Sequence, residues 1–293
     1  MDKRVDVAIN VYGKPYQTLA TLKTLTLHSG KHIDKIYFIQ EKKQPLWGAN
    51  PDIVVKRFDN IELFIPEHFL HIYYTEREKY DDQAYRLSIR YQYAWENTDK
   101  KYLYITHNDV LYHADIIGPM LDALSDGEHI GVGQIGRCWE CPAFLGNKCS
   151  GGKYLEYNPS YEEVLELAQK HPHKKGQEHD ALIDKHRPMP LPSCRLNEWA
   201  CLINIEKLRH EVIPRGTTDP FGAMLGIDTA TAWFRDLHLK GYRFRHIDID
   251  PYCRHGWGKF MGHETSCNSD YYTRAEDEAA AFIEDILGED LEG

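Results

Sequence analysis

What this chain lacks narrows its function before any motif is considered. Among its 293 residues no apolar run approaches the ~20 that a membrane-spanning helix needs. The opening residues, Met1-Asp2-Lys3-Arg4, lead straight into a strand pattern without the architecture of a secretory signal, so the cytoplasm is the expected location. No basic stripe offers itself to nucleic acid, and nucleic acid is not an expected partner. No internal repeat or low-complexity linker divides the chain, which favours one domain over residues 1–293. Seven cysteines, an odd number, rule out complete internal pairing into disulfides. The formal charge of −10 is local, because residues 275–293 hold eight acids and no Lys or Arg and without them the charge is −2. That tail reads as an amphipathic helix with a solvated acidic face.

What is present is an alternation of strands and helices. Val5, Val7, Ile9 and Val11 mark a strand, Gly13 breaks it, and Pro15 suits the first turn of a helix carrying Tyr16, Leu19, Ala20 and Leu22. A second strand follows over 35–40. Ala84, Leu87, Tyr91, Ala94 and Trp95 keep a helical period across 81–95. Tyr102–Thr106 is a short apolar strand, followed by a helix over 114–124 and a strand over 129–133. Residues 137–195 differ, being rich in Pro, His, Lys and Cys, with one well-marked helix where Ser160 and Glu163 form a capping box. Apolar strand character resumes at Ala200-Cys201-Leu202-Ile203. Asp228 is placed to cap a helix with an inner face of Ala230, Trp233, Phe234 and Leu237, ended by Gly241, and 242–250 reads as the next strand. Strand–helix–strand order of this kind builds a parallel sheet with covering helices.

In open α/β sheets ligands collect outside the C-terminal ends of strands. Two polar clusters fall there. Asn10 and Tyr12 end the first strand, where polar backbone and a ring can hold a nucleotide base; the alternative is a simple turn. His107-Asn108-Asp109 follows the strand 102–106. A carboxylate at such an end can hold a hard cation against a diphosphate, which makes Asp109 a metal-ligand candidate and His107 a contact for ribose, diphosphate or metal. Here the alternative is a turn in which Asn108 and Asp109 bond their own backbone. Glu198 and Trp199 precede the apolar segment at Ala200, a Trp beside polar groups being a common platform for the apolar face of a sugar; the alternative is an ordinary core Trp.

Taken in order, these elements resemble GT-A glycosyltransferases, family 2 in particular, over roughly 5–110 and 195–260. In that family the triplet reads Asp-x-Asp, and His107 replaces the first acid while Asp109 matches the last. The run Gly226-Ile227-Asp228, then Ala232-Trp233-Phe234-Arg235 and Lys240-Gly241-Tyr242-Arg243, is similar to the family's acid-led helix ending in a Gly-Tyr-Arg strand start.

The resemblance implies an α/β, Rossmann-type, mostly parallel sheet with helices on both faces. Residues 5–130 would form a nucleotide-sugar-binding half and 196–262 an acceptor and catalytic half. The Cys-bearing insertion is 137–195 and the acidic C-terminal helix 275–293. It implies a nucleotide-sugar donor, a glycan or lipid-linked acceptor in cell-surface glycan synthesis, and Mn2+ or Mg2+ on the donor diphosphate. Asp228 takes the place of the family's catalytic base, which removes the acceptor hydroxyl proton. His255, in Cys253-Arg254-His255-Gly256-Trp257-Gly258, matches a C-terminal His that returns to the metal. Arg254 would neutralise the departing nucleotide.

The cysteines pose a separate question. Cys138-x-x-Cys141 with Cys149 and Cys194 supplies the four thiolates of a tetrahedral structural zinc, with unlinked thiols or disulfides as alternatives. Two other functions remain open: a nucleotidyltransferase, which usually carries a Gly-rich phosphate loop near the N-terminus, and a zinc-stabilised sugar-binding protein without catalysis.

Overall fold

A computed structural model describes residues 5–45, 50–71, 73–257, 268–285, 288 and 291. Seven strands form the main sheet: β1 (Val5–Val11), β2 (Ile33–Gln40), β3 (Ile61–Phe64), β4 (Tyr102–Thr106), β6 (His129–Ile135), β7 (Leu196–Asn204) and β8 (Arg243–His246). Their order is β3-β2-β1-β4-β7-β6-β8, and β5 (Val110–Tyr112) pairs separately with β9 (Cys253–His255). Only β7 runs against its neighbours β4 and β6; the other four neighbouring pairs are parallel. The mostly parallel α/β sheet expected from the sequence is what the chain forms.

Strand side chains alternate between faces, and here both faces are covered. On one, Val7, Ile9, Phe38, Tyr104 and Leu202 pack with Leu19 and Leu22 of the helix Pro15–Ser29 and with Ala279 and Ile283 of the helix Ser269–Asp285. On the other, Ala8, Tyr37, Ile105 and Ile203 pack with Trp95 and with Trp233 and Phe234 of the helix Thr231–Leu239. Even Asp6 in β1 is buried, accepting from Thr98 Oγ1 at 2.6 Å and from the Lys35 amide at 3.1 Å. Burial pushes its carboxyl above the usual range. The segment 137–195 connects β6 to β7 and adds Cys141, Ala143, Tyr154 and Val164 to the second core face. Among the described residues no helix is long and apolar enough to cross a membrane.

Three local expectations are corrected. The helix expected over 81–95 is two, Gln83–Leu87 and Gln92–Asn97, because Tyr91 turns left-handed (φ 64°) and Arg90 bridges to Gly222. A Cβ on Gly222 would sit 2.0 Å from the Arg90 carbonyl oxygen, so the bridge needs that glycine. Asp228 is not a helix cap: the helix begins at Thr231 behind Ala230, and Asp228 accepts instead from the amide of Thr229 at 2.9 Å. The capping box at Ser160 is half formed, since Ser160 accepts from the Glu163 amide while Glu163 accepts from Tyr157.

The acidic tail is not merely solvated. Tyr272, Ala275, Glu276, Ala279 and Ile283 share a buried stripe at helical spacing. Glu276 accepts from the amides of Tyr16 (2.9 Å) and Gln17 (3.1 Å) and from Gln17 Nε2 (3.0 Å). Those amides are among the orphan donors of the first helix, whose own N-cap position, Lys14, offers no side-chain cap. A carboxylate from the far end of the sequence therefore caps it.

Candidate active site

The site forms where the chain turns out of the C-terminal ends of β1 and β4. Those adjacent strands are the switch point at which the sheet's order reverses, the usual ligand crevice of such sheets. After β1, Gly13 (φ 65°) and Lys14 (φ 57°) are both left-handed. Gly13 has no room for a side chain, since a Cβ would lie 2.8 Å from Pro45 and 3.0 Å from the Tyr272 hydroxyl. For Lys14 that backbone costs roughly 1–2 kcal/mol. Its return is the position of its ammonium, buried against Asp109 Oδ2 at 2.8 Å, with its amide donating to Tyr272 Oη.

Asp109 is 2% exposed. Its other oxygen, Oδ1, lies 3.1 Å from His255 Nε2 and 3.9 Å from His107 Nδ1, and the two imidazole nitrogens are 3.3 Å apart. His107, Asp109 and His255 offer ligand atoms all within 4.8 Å of one another, the one such group among the described residues. The short β5–β9 pair makes this possible. Val110 registers with His255, and the Gly256 amide donates to the Asp109 carbonyl at 2.7 Å, so residues 146 apart in sequence meet. Burial raises the Asp109 carboxyl, but Lys14, His255 and His107 outweigh it and hold the group well below the ordinary carboxylate range. Two imidazole nitrogens and an ionised carboxylate oxygen are a donor set that fits a divalent transition-metal ion.

Each histidine is held from behind. Trp199 stacks on His255, with centroids 4.7 Å apart and planes 17° from parallel. Glu198 Oε1 lies 3.2 Å from His107 Nε2, a close polar contact off the line of a good hydrogen bond. Trp199 and Glu198 lie inside β7, not ahead of it, and both reach the cluster from that strand.

From Glu198 a ladder of alternating charge continues. Arg90 (3.6 Å) and Arg195 (3.8 Å) face Glu198. Arg195 also lies 3.2 Å from Asp228 Oδ2, and Arg137 clamps the same carboxylate before pairing with Glu140 at 3.0 Å. Burial raises the Asp228 carboxyl, but Arg195 and Arg137 outweigh it and keep the group below its usual range. Burial likewise opposes ionisation of Glu198, and His107, Arg90 and Arg195 overcome it. Several buried polar atoms of this ladder have no hydrogen-bond partner within the protein: Glu198 Oε2 and the Nε atoms of Arg90, Arg137 and Arg195.

The structure thus gathers His107, Asp109, His255, Glu198, Trp199 and Asp228 into one network. Asn10 and Tyr12 stand beside it at the end of β1. Asn10 donates to Glu41 (3.0 Å), and Tyr12 lies against His71 with ring centroids 4.0 Å apart. Arg254 is not gathered in. It is exposed on the opposite face of β9 from His255, its guanidinium 6.0 Å from the Trp257 ring. Lys14, Glu41, Arg90, Arg137 and Arg195 were missed by sequence reasoning.

The first helix's N-terminus, a ready phosphate site in many nucleotide-binding folds, is taken here by Glu276.

No protein-family model and no curated protein matches the chain. Among solved structures it is similar to the mannosyltransferase PcManGT from Pyrobaculum calidifontis in complex with GDP-Man and Mn2+, at 14% identity and a TM-score of 0.49. That match covers 95% of this chain but only 63% of the other, so the chain spans under two thirds of that protein's length. It is also similar to mouse xyloside xylosyltransferase 1 in its apo form, at 11% identity over 85% of this chain and 86% of that one, with a TM-score of 0.43.

Proposed function

We propose that the chain is a metal-dependent glycosyltransferase of the GT-A type, moving a sugar from a nucleotide-sugar donor to an acceptor hydroxyl. The observation that carries this reading is the His107, Asp109 and His255 cluster at the β1–β4 crevice. A divalent ion held by these three residues would supply Lewis-acid stabilisation of the departing diphosphate. The rest is the work of the chain itself. Lys14 keeps Asp109 ionised, Trp199 orients His255 by stacking, and Glu198 faces the far nitrogen of His107. Asn10 and the Tyr12–His71 pair offer polar and aromatic surface to the nucleotide base.

Asp228 is the assigned base for the acceptor hydroxyl. It remains an anion because two arginines surround it, and its side chain is 19% exposed, within reach of a hydroxyl from solvent.

The test is calorimetry of uridine and guanosine diphosphate with and without Mn2+, followed by nucleoside-diphosphate release from a panel of nucleotide sugars. Binding that requires the metal, with release from at least one donor, is the expected result. No metal-dependent binding of either diphosphate would overturn the reading.

A further inference from the structure

The connection between β6 and β7 brings four cysteines to one place. Cys138 and Cys141 bracket a single helical turn, with the Cys141 amide donating to the Cys138 carbonyl at 3.0 Å. Cys149 is tied back by its amide to the Ala143 carbonyl (3.2 Å), and Cys194 by its amide to Leu191 (2.8 Å) just before β7. All four line one small cavity with Gly136 and Gly151 in its wall. Both glycines are required for room: a Cβ on Gly136 would lie 3.0 Å from Cys138 Sγ, and one on Gly151 would lie 2.3 Å from the Ile135 carbonyl oxygen. All four are free thiols.

Electrostatics agrees with the geometry. Burial is the main influence raising these thiols, and every one of the six sulfur pairs adds mutual repulsion between thiolates. Backbone hydrogen bonds from Gly151 to Cys138, and from Ala143 and Phe144 to Cys141, act the other way and favour the anion. Four thiols lining one cavity, with the backbone at Gly151, Ala143 and Phe144 favouring the thiolate form, are a donor set suited to a soft divalent cation.

We propose that Cys138, Cys141, Cys149 and Cys194 bind one structural zinc ion as a tetrathiolate. Binding exchanges four S–H bonds for four Zn–S bonds and releases four protons to solvent, with no change of oxidation state. Zn–S bonds of about 2.3 Å place tetrahedral sulfurs about 3.8 Å apart. No three of these sulfurs are all within 4.8 Å of one another in the structure, so binding draws the thiols inward by side-chain rotation. Four sulfur ligands leave no open position, which makes the site structural and not catalytic. It would fasten the turn 138–141, the segment around Cys149 and the entry to β7, which carries Glu198 and Trp199. This inference does not rest on the transferase reading.

The experiment is elemental analysis of reduced protein, purified without chelator and dialysed against excess zinc and then zinc-free buffer. The expected result is about one zinc per chain, retained in His255→Ala and lost in Cys194→Ser. Should Cys194→Ser fail to fold, titrating the wild-type thiols with a mercurial while following zinc release by an indicator dye gives the same answer: release must accompany modification of four thiols. Replacement by Co2+ should yield the visible absorption of tetrahedral cobalt thiolate. Less than about 0.1 zinc per chain, or zinc lost in His255→Ala but kept in Cys194→Ser, would each overturn the proposal.

Discussion

Asp109 and Asp228 are two carboxylates in one charge network, both held as anions, yet their surroundings equip them for different work. Asp109 is neutralised by one lysine and flanked by two imidazoles. Imidazoles have lone pairs and can coordinate a cation. Asp228 is neutralised by two guanidiniums, which have five donors each and no lone pair to give. On the proposed reading the first site takes a cation, whereas the two guanidiniums repel one at the second. What remains open to Asp228 is a neutral partner that donates a hydrogen bond, such as a hydroxyl. The difference shows that the depression of a carboxyl says little about function until the depressing groups are named.

The sharpest way to break the comparison is to remove the carboxylate at the cation side. Asp109→Ala takes away the proposed ligand oxygen and the carboxylate that faces Lys14 at 2.8 Å. Metal-dependent diphosphate binding should vanish in calorimetry, and transfer should fall by ~10³-fold, the upper range for losing an electrostatic stabiliser of a leaving group. Unchanged metal-dependent affinity would place the ion elsewhere.

The second test is on the arginine side. Asp228→Asn keeps an oxygen to accept from the Thr229 amide, and it leaves Arg137 its Glu140 partner and Arg195 its bonds to Thr229. The amide nitrogen would nevertheless face the Arg137 and Arg195 guanidiniums in place of an anion, so stability should drop by roughly 3–5 kcal/mol, the usual cost of breaking a buried ion pair. The amide cannot take a proton, so transfer should fall by roughly 10²-fold, with diphosphate affinity unchanged. A variant with near wild-type transfer would leave Asp228 as an anchor for two arginines and return Glu198 to consideration as the base.

How much of this was open to a reader of the sequence depended on range. The strands β1, β4 and β7 announce themselves as apolar runs, and the helices at 15–29 and 231–239 by spacing, because those patterns repeat within a few residues. The strands β5 and β9 are three residues each, too short for any period, and they are what carries His255 to Asp109. Only the family resemblance reached His255. Lys14 escaped because its role needs two left-handed residues and a partner 95 positions away. Arg137 and Arg195 escaped for the same reason: Asp228 lies 91 residues beyond Arg137, and ion pairs at that distance leave no local trace. Glu276 looked like its seven acidic neighbours, although its spacing with Tyr272, Ala279 and Ile283 marked the buried stripe.

The smallest expected effect concerns Arg254, which the leaving-group argument brought forward and the structure sets apart. In a strand, successive side chains point to opposite faces, so a site that takes His255 turns Arg254 away. Its guanidinium lies over Trp257, an exposed cation–π contact, and such contacts are worth roughly 0.5–1 kcal/mol at a surface. Arg254→Ala should therefore cost at most about 1 kcal/mol of stability. Substitutions at exposed positions away from the chemistry usually change free energies by within about 0.5 kcal/mol, which is a factor of about two in rate. Transfer and diphosphate affinity should thus stay within about twofold of wild type. His255→Ala, one residue away on the other face, should abolish the metal dependence. A tenfold or greater loss of diphosphate affinity in Arg254→Ala, with His255→Ala near normal, would mean that the nucleotide binds on the opposite face of β9 from the one the histidines share.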